Sequence, residues 1–184
     1  MILPIRAYGD PVLRKKCQSI EPDYAGLEQL IADMFETMYE SNGVGLAAPQ
    51  VGRDIRLFVI DTNAFSDKKI KGVKKIFINA ELVEEKGNPW DFEEGCLSIP
   101  RIRENIRRHA EIALKYQDEN FKWHEETFNE MVARVIQHEY DHIEGVMFVD
   151  HLSPLKKQLI KGKLQNISKG KVEVDYKMKF YFKK

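Results

Sequence analysis

The chain has 184 residues, a length that suits one compact domain, and its 43% apolar content is too high for a disordered polymer. No stretch approaches the roughly 20 apolar residues that a membrane-spanning helix needs. Lys+Arg and Asp+Glu both number 29, so net charge gives no ground for expecting nucleic acid or a membrane as partner.

The opening Met1-Ile2-Leu3-Pro4-Ile5-Arg6 lacks the basic and long apolar regions of a signal peptide. Cys17 and Cys96 lie far apart and suggest no disulfide framework. A cytoplasmic location is expected, and its reducing conditions leave a thiol free to serve as a ligand. Leu27, Leu30, Ile31, Met34, Phe35 and Met38 recur in steps of three and four, which predicts a helix from Leu27 to about Tyr39, stopped by Asn42-Gly43. Strand-like runs follow at Ile55–Ile60, Lys75–Val83, Glu111–Tyr116 and Phe121–Glu125, with Asp118-Glu119-Asn120 as a hairpin connection between the last two. A second helix is predicted from about Thr127 to Ile143, with Phe128, Met131, Val132, Val135 and Ile136 on its apolar face. Ser153-Pro154 can open a short third helix. Near the end, Val172, Val174, Tyr176, Met178, Phe180 and Phe182 alternate with mostly polar residues, which predicts a last strand. The sum is a single α+β domain over 1–184, with antiparallel β-sheets surrounding a central α-helix and a C-terminal tail from about 153 to 184.

The second helix carries Gln137-His138-Glu139-Tyr140-Asp141-His142. Residues four apart share a helical face, so His138 and His142 can bind one metal, and Glu139 can serve a water on that metal as general base. A catalytic site of this kind usually has a third protein ligand and an open position. Glu144, Asp150 and His151 lie downstream and Cys96 lies upstream. Spacing does not choose among them, since a lone cysteine is often only a small buried hydrophobe.

Three segments in order resemble the motifs of the peptide deformylase family. They are Gly43-Val44-Gly45-Leu46-Ala47-Ala48-Pro49-Gln50, Glu94-Gly95-Cys96-Leu97-Ser98, and Gln137-His138-Glu139-Tyr140-Asp141-His142. The likeness runs from the Ile5-to-Leu13 stretch to about Phe148, and the remaining residues match no pattern. The resemblance implies that Cys96, His138 and His142 are the metal ligands and that Glu139 is the general acid/base. It implies further that Gln50 and the backbone N–H of Leu97 form the oxyanion site. The family removes the formyl group from the initiator formyl-methionine of nascent polypeptides: a metal-bound water attacks the formyl carbon and formate is released. Fe2+ is the implied metal, with Zn2+, Ni2+ or Co2+ able to substitute. The implied partners are N-formylmethionyl nascent peptides, and with them the ribosome near its exit tunnel.

Small residues at Gly43 and Gly45 let a peptide backbone approach closely, and Pro49 can fix the loop that presents Gln50. Val44, Phe92, Met131 and Val135 are candidates for the pocket that takes a methionine side chain. Glu94 is placed with this substrate-binding group, and is expected to brace the cysteine loop through an ion pair with Arg101 or Arg103. Asp141 is a candidate to support the ligands from behind. Two rival readings are a metalloprotease with a different third ligand, and a non-enzymatic protein whose metal is structural. The first predicts that Cys96 is dispensable for metal binding, and the second a closed fourth position.

Overall fold

A computed structural model describes residues 1–65 and 71–181. It is a mixture of helices and sheets, most of the pairing being antiparallel. The strands Gly45–Ala47 (β2), Leu57–Asp61 (β3), Lys74–Lys86 (β4), Glu111–Gln117 (β7) and Trp123–Asn129 (β8) form a five-stranded antiparallel sheet in the order β2-β3-β4-β7-β8. Trp90–Cys96 (β5) and Ile99–Arg108 (β6) form a separate antiparallel hairpin. Ile5–Arg6 (β1) and Met178–Lys179 (β9) pair in parallel, a departure from the expected all-antiparallel pairing.

Both faces of the five-stranded sheet are covered at β3, which explains why that strand reads Leu-Phe-Val-Ile without a polar position. Leu57 and Val59 join Leu30, Ile31, Met34 and Met38 of the helix Leu27–Glu40 (α1). Phe58 and Ile60 join Val132, Val135 and Ile136 of the helix Glu130–Ile143 (α2) on the other side. A strand buried on both faces loses its alternation. From its other side α2 sends Arg134 to the β5–β6 hairpin, where it donates to the Trp90 and Ile106 carbonyls. None of the helices among the described residues is long and apolar enough to cross a membrane.

Three expectations are corrected. Helix α2 begins at Glu130 rather than near Thr127, because Thr127–Asn129 are taken by the ladder with β7 (Ala113↔Thr127, Ile112↔Phe128, Glu111↔Asn129). Glu130 turns the corner at φ 52°. The third helix is not short: Pro154–Ser168 (α3) is capped by the Ser153 side chain and buries Ile160, Leu164 and Ile167 on the cluster around Ile99, Ile102 and Ile106. The final segment keeps its alternation, Val172, Val174, Tyr176, Met178 and Phe180 being half-buried, but among the described residues it forms a ladder only at β9. Phe182 lies outside the described residues.

The aromatic centre of the sheet offers a stability test. Phe77 is fully buried, with ring centroids 4.7 Å from Phe58, 4.6 Å from Tyr116 and 5.8 Å from Phe128. Phe77→Ala is expected to lower stability by about 3–5 kcal/mol in urea titration, with an unchanged m-value.

Candidate metal centre

Helix α2 and the end of β5 supply three donors that converge. His138 and His142 sit one turn apart with ring centroids 5.1 Å from each other. Cys96 closes the triangle, its Sγ lying 3.3 Å from His142 Nε2. One donor atom from each of the three residues lies within 4.8 Å of the others, the sole such cluster of three His, Cys, Asp or Glu groups among the described residues. A thiolate and two imidazoles form a donor set that suits a divalent transition metal. Burial alone would push the Cys96 thiol up, but His142 and His138 outweigh it and bring the thiol down to about 5. The sulfur is therefore ready to bind as thiolate at neutral pH.

The histidine rings are held from behind. His138 Nδ1 lies 3.0 Å from Glu94 Oε2, which leaves Nε2 to face the cysteine. Glu94 does not pair with Arg101 or Arg103. Along β5 and β6 side chains alternate between faces, so exposed Glu93 meets exposed Arg103, at 2.7 Å, while Glu94 turns inward. There its carboxylate accepts from Arg108 at 2.7 and 3.1 Å and from Arg134 at 2.9 Å. Arg101 instead donates to the Glu173 carbonyl. Asp141 stands behind the ligands, accepting from Arg108 at 2.8 Å and lying 2.7 Å from His151 Nε2. His151 is thus engaged away from the cluster. Glu144 pairs with Arg56 and Lys16, and Asp150 with Arg14, so the downstream third-ligand candidates are all occupied elsewhere.

Glu139 points into the same space. Its Oε2 is buried and meets no protein partner, and desolvation pushes its carboxyl up to about 7, against the opposing pull of His138 and His142. Gly45 makes room for it: a Cβ there would stand 2.5 Å from Glu139 Oε1. At this position the close neighbour is thus the acid, where the sequence suggested a peptide backbone. Gln50 lies in a 3-10 turn, Ala48–Val51, entered by Pro49. Its Oε1 accepts from Ala47 N–H at 2.8 Å, which fixes the amide so that Nε2 looks toward Cys96 Sγ (3.5 Å) and Ser98 Oγ (3.4 Å).

These groups open on a cleft of about 540 Å³. Gly43, Val44, Phe92, Leu97, Met131 and Val135 line it. Glu94 borders it, but with its oxygens committed to Arg108, Arg134 and His138. Arg134 went unrecognised because it sits in a helical pattern at a position that reads as solvated. Val174, Asp175 and Tyr176 also line the cleft; the alternation of the tail marked Val174 and Tyr176 as facing inward and gave no sign of Asp175.

Comparison with known proteins adds the following. Residues 2–158 match the family model described as polypeptide deformylase. A peptide deformylase of Cytophaga hutchinsonii is 58% identical over 184 residues, covering 100% of both chains. One of Christiangramia forsetii is 56% identical over 98% of this chain and 96% of its own. Among solved structures, a peptide deformylase from Legionella pneumophila superposes with a TM-score of 0.81 at 40% identity, covering 93% of this chain and 98% of that one.

The buried carboxylate yields a test in the metal-free protein. Burial would raise the Glu94 carboxyl, but His138 and Arg108 hold it well below its ordinary value of 4.5. Its stabilisation is therefore complete above that value and is lost as the pH falls toward the lower folded value. Glu94→Gln leaves Arg134 without its ion-pair partner and Arg108 with Asp141 alone, and is expected to cost about 3–5 kcal/mol at pH 7. Urea titrations from pH 7 to 3 should show a shallower acid decline for the variant; an equally steep decline would assign it to other carboxylates.

Proposed function

The chain belongs to the peptide deformylase family, and from that membership we propose how its own residues carry out the reaction. It is an enzyme that removes the N-formyl group from nascent polypeptides, and its family is metal-dependent. Cys96, His138 and His142 hold one divalent ion, assigned as iron(II), with zinc, nickel or cobalt able to take its place. When bound, such an ion lowers the pKa of a coordinated water toward about 7, so that a nucleophile exists at neutral pH.

The rest is done by side chains and backbone. Glu139 takes the proton of the attacking water and delivers it to the departing amine, a task suited to a carboxyl poised near neutrality. As attack proceeds, negative charge gathers on the formyl oxygen, and Gln50 Nε2 and Leu97 N–H donate to it. The methionine side chain enters the cleft beside Val44, Phe92, Met131 and Val135, where Gly43 also lines the wall and Gly45 leaves room for Glu139. Glu94 acts from behind by fixing the His138 ring. Residues 1–184 form one catalytic domain, with α2 as the helix its sheets surround. The work takes place in the cytoplasm, on peptides emerging near the ribosomal exit tunnel.

The observation that carries this reading is the meeting of a sequence-distant sulfur with two imidazoles of one helix turn, beside a buried carboxylate oxygen that has no protein partner. Formate release from formyl-Met-Ala-Ser, by protein prepared without oxygen, tests it. Glu139→Ala is expected to lose about 100-fold or more, and Gln50→Ala on the order of 100-fold. Full activity in Glu139→Ala would remove the proposed acid/base.

A further inference from the structure

The turn between β5 and β6 carries two parts of the machinery, the Cys96 sulfur and the Leu97 N–H. The ladder closes at Cys96↔Ile99, so Leu97 and Ser98 stand outside it. Their carbonyls are taken by donors from far along the chain in opposite directions. Tyr8 N–H donates to the Ser98 carbonyl at 2.8 Å, and the Tyr176 hydroxyl donates to the Leu97 carbonyl at 2.7 Å. The two segments that supply these donors are joined to each other. Strands β1 and β9 pair at Ile5↔Met178 and Arg6↔Lys179, with Ile5 N–H on the Lys177 carbonyl and Ala7 N–H on the Lys179 carbonyl.

The segment holding Tyr176 is itself fixed on both sides. Val172, Met178 and Phe180 pack on the cluster that contains Ile99, Ile102 and Ile106, and Arg101 of β6 donates to the Glu173 carbonyl at 3.2 Å. Burial, and to a lesser extent the Cys96 charge, raise the Tyr176 phenol well above its ordinary value of 10.0, so it remains a donor at neutral pH. Residue 176 also lies beyond the span that matches the family model, 2–158.

We infer that Tyr176 is a positioning residue for deformylation, its hydroxyl fixing the Leu97 peptide units so that the Leu97 N–H is aimed at the formyl oxygen. This rests on the reading of Leu97 given above. The C=O and N–H of Leu97 flank one Cα, so rotation about that atom moves both. Small misplacements of a group that acts in the transition state are costly, up to about 100-fold per ångström. The hydroxyl is spent on the Leu97 carbonyl, so its loss acts on the chemical step rather than on substrate affinity.

The test uses full-length, metal-loaded enzyme and Tyr176→Phe, which removes one oxygen and keeps the ring on the cleft wall. Against formyl-Met-Ala-Ser, kcat is expected to fall about 3- to 10-fold, the equivalent of one hydrogen bond, with KM unchanged. Amide hydrogen exchange should quicken in 96–99 and stay as it was in β3 and α2. Three outcomes overturn the inference while wild type remains active: an unchanged kcat, a rise in KM alone, or faster exchange throughout the protein. Wild-type protein that releases no formate would instead overturn the deformylase reading on which it stands.

Discussion

One buried carboxylate joins the parts of this molecule that have to meet. Glu94 enters from β5 and engages Arg108 of β6, Arg134 of α2 and the back of His138. Two guanidinium groups removed from water would be prohibitively costly without such a partner, and a carboxylate removed from water is equally in need of them. The charges settle each other only when hairpin and helix dock in a single geometry. That geometry is also the one that sets Cys96, two residues further along, against the two imidazoles. Electrostatic compensation thus enforces the alignment of donors that apolar packing alone would leave loosely specified.

The arrangement divides the acids of the site by environment. Glu94 is surrounded by positive charge and stays ionised, while Glu139, one residue after a ligand, is surrounded by buried space and is pushed to neutrality. Gly45 permits this second placement, since a larger residue would collide with the carboxylate. Gln50 has no freedom to turn its amide over, because its oxygen is already committed to Ala47 N–H. The groups proposed to act on the formyl group are in this sense fixed before any substrate arrives, and pre-organisation of that sort is where much of an enzyme's rate arises.

Much of this was legible in the residues. Helix α1 followed directly from its apolar stripe, and the spacing of His138 and His142 placed both on one face. The third ligand was not available from spacing, and only the likeness of the Glu94–Ser98 segment to a known family pointed to Cys96. The β5–β6 hairpin went unread because its inward positions include Glu94 and Arg108, which break the apolar alternation that marks a strand. The same inward turn sent Glu94 to Arg108 and Arg134, away from the nearer Arg101 and Arg103. The start of α2 was misplaced because Phe128 satisfies helical and strand periodicities alike, and the β7 partner decided between them. The tail showed its alternation but gave no hint that Tyr176 reaches Leu97, a contact set entirely by tertiary structure.

The pairing of β1 with β9 has a consequence for the order in which the protein is made. Ile5 is made well before Met178, so the loop they close spans nearly the whole described chain, and such distant contacts form slowly. Until residues 176–179 emerge, the cysteine turn has its Tyr8 donor within reach and lacks the one from Tyr176. An enzyme that acts on nascent chains therefore completes its own cleft only once residues 176–179 have themselves been made.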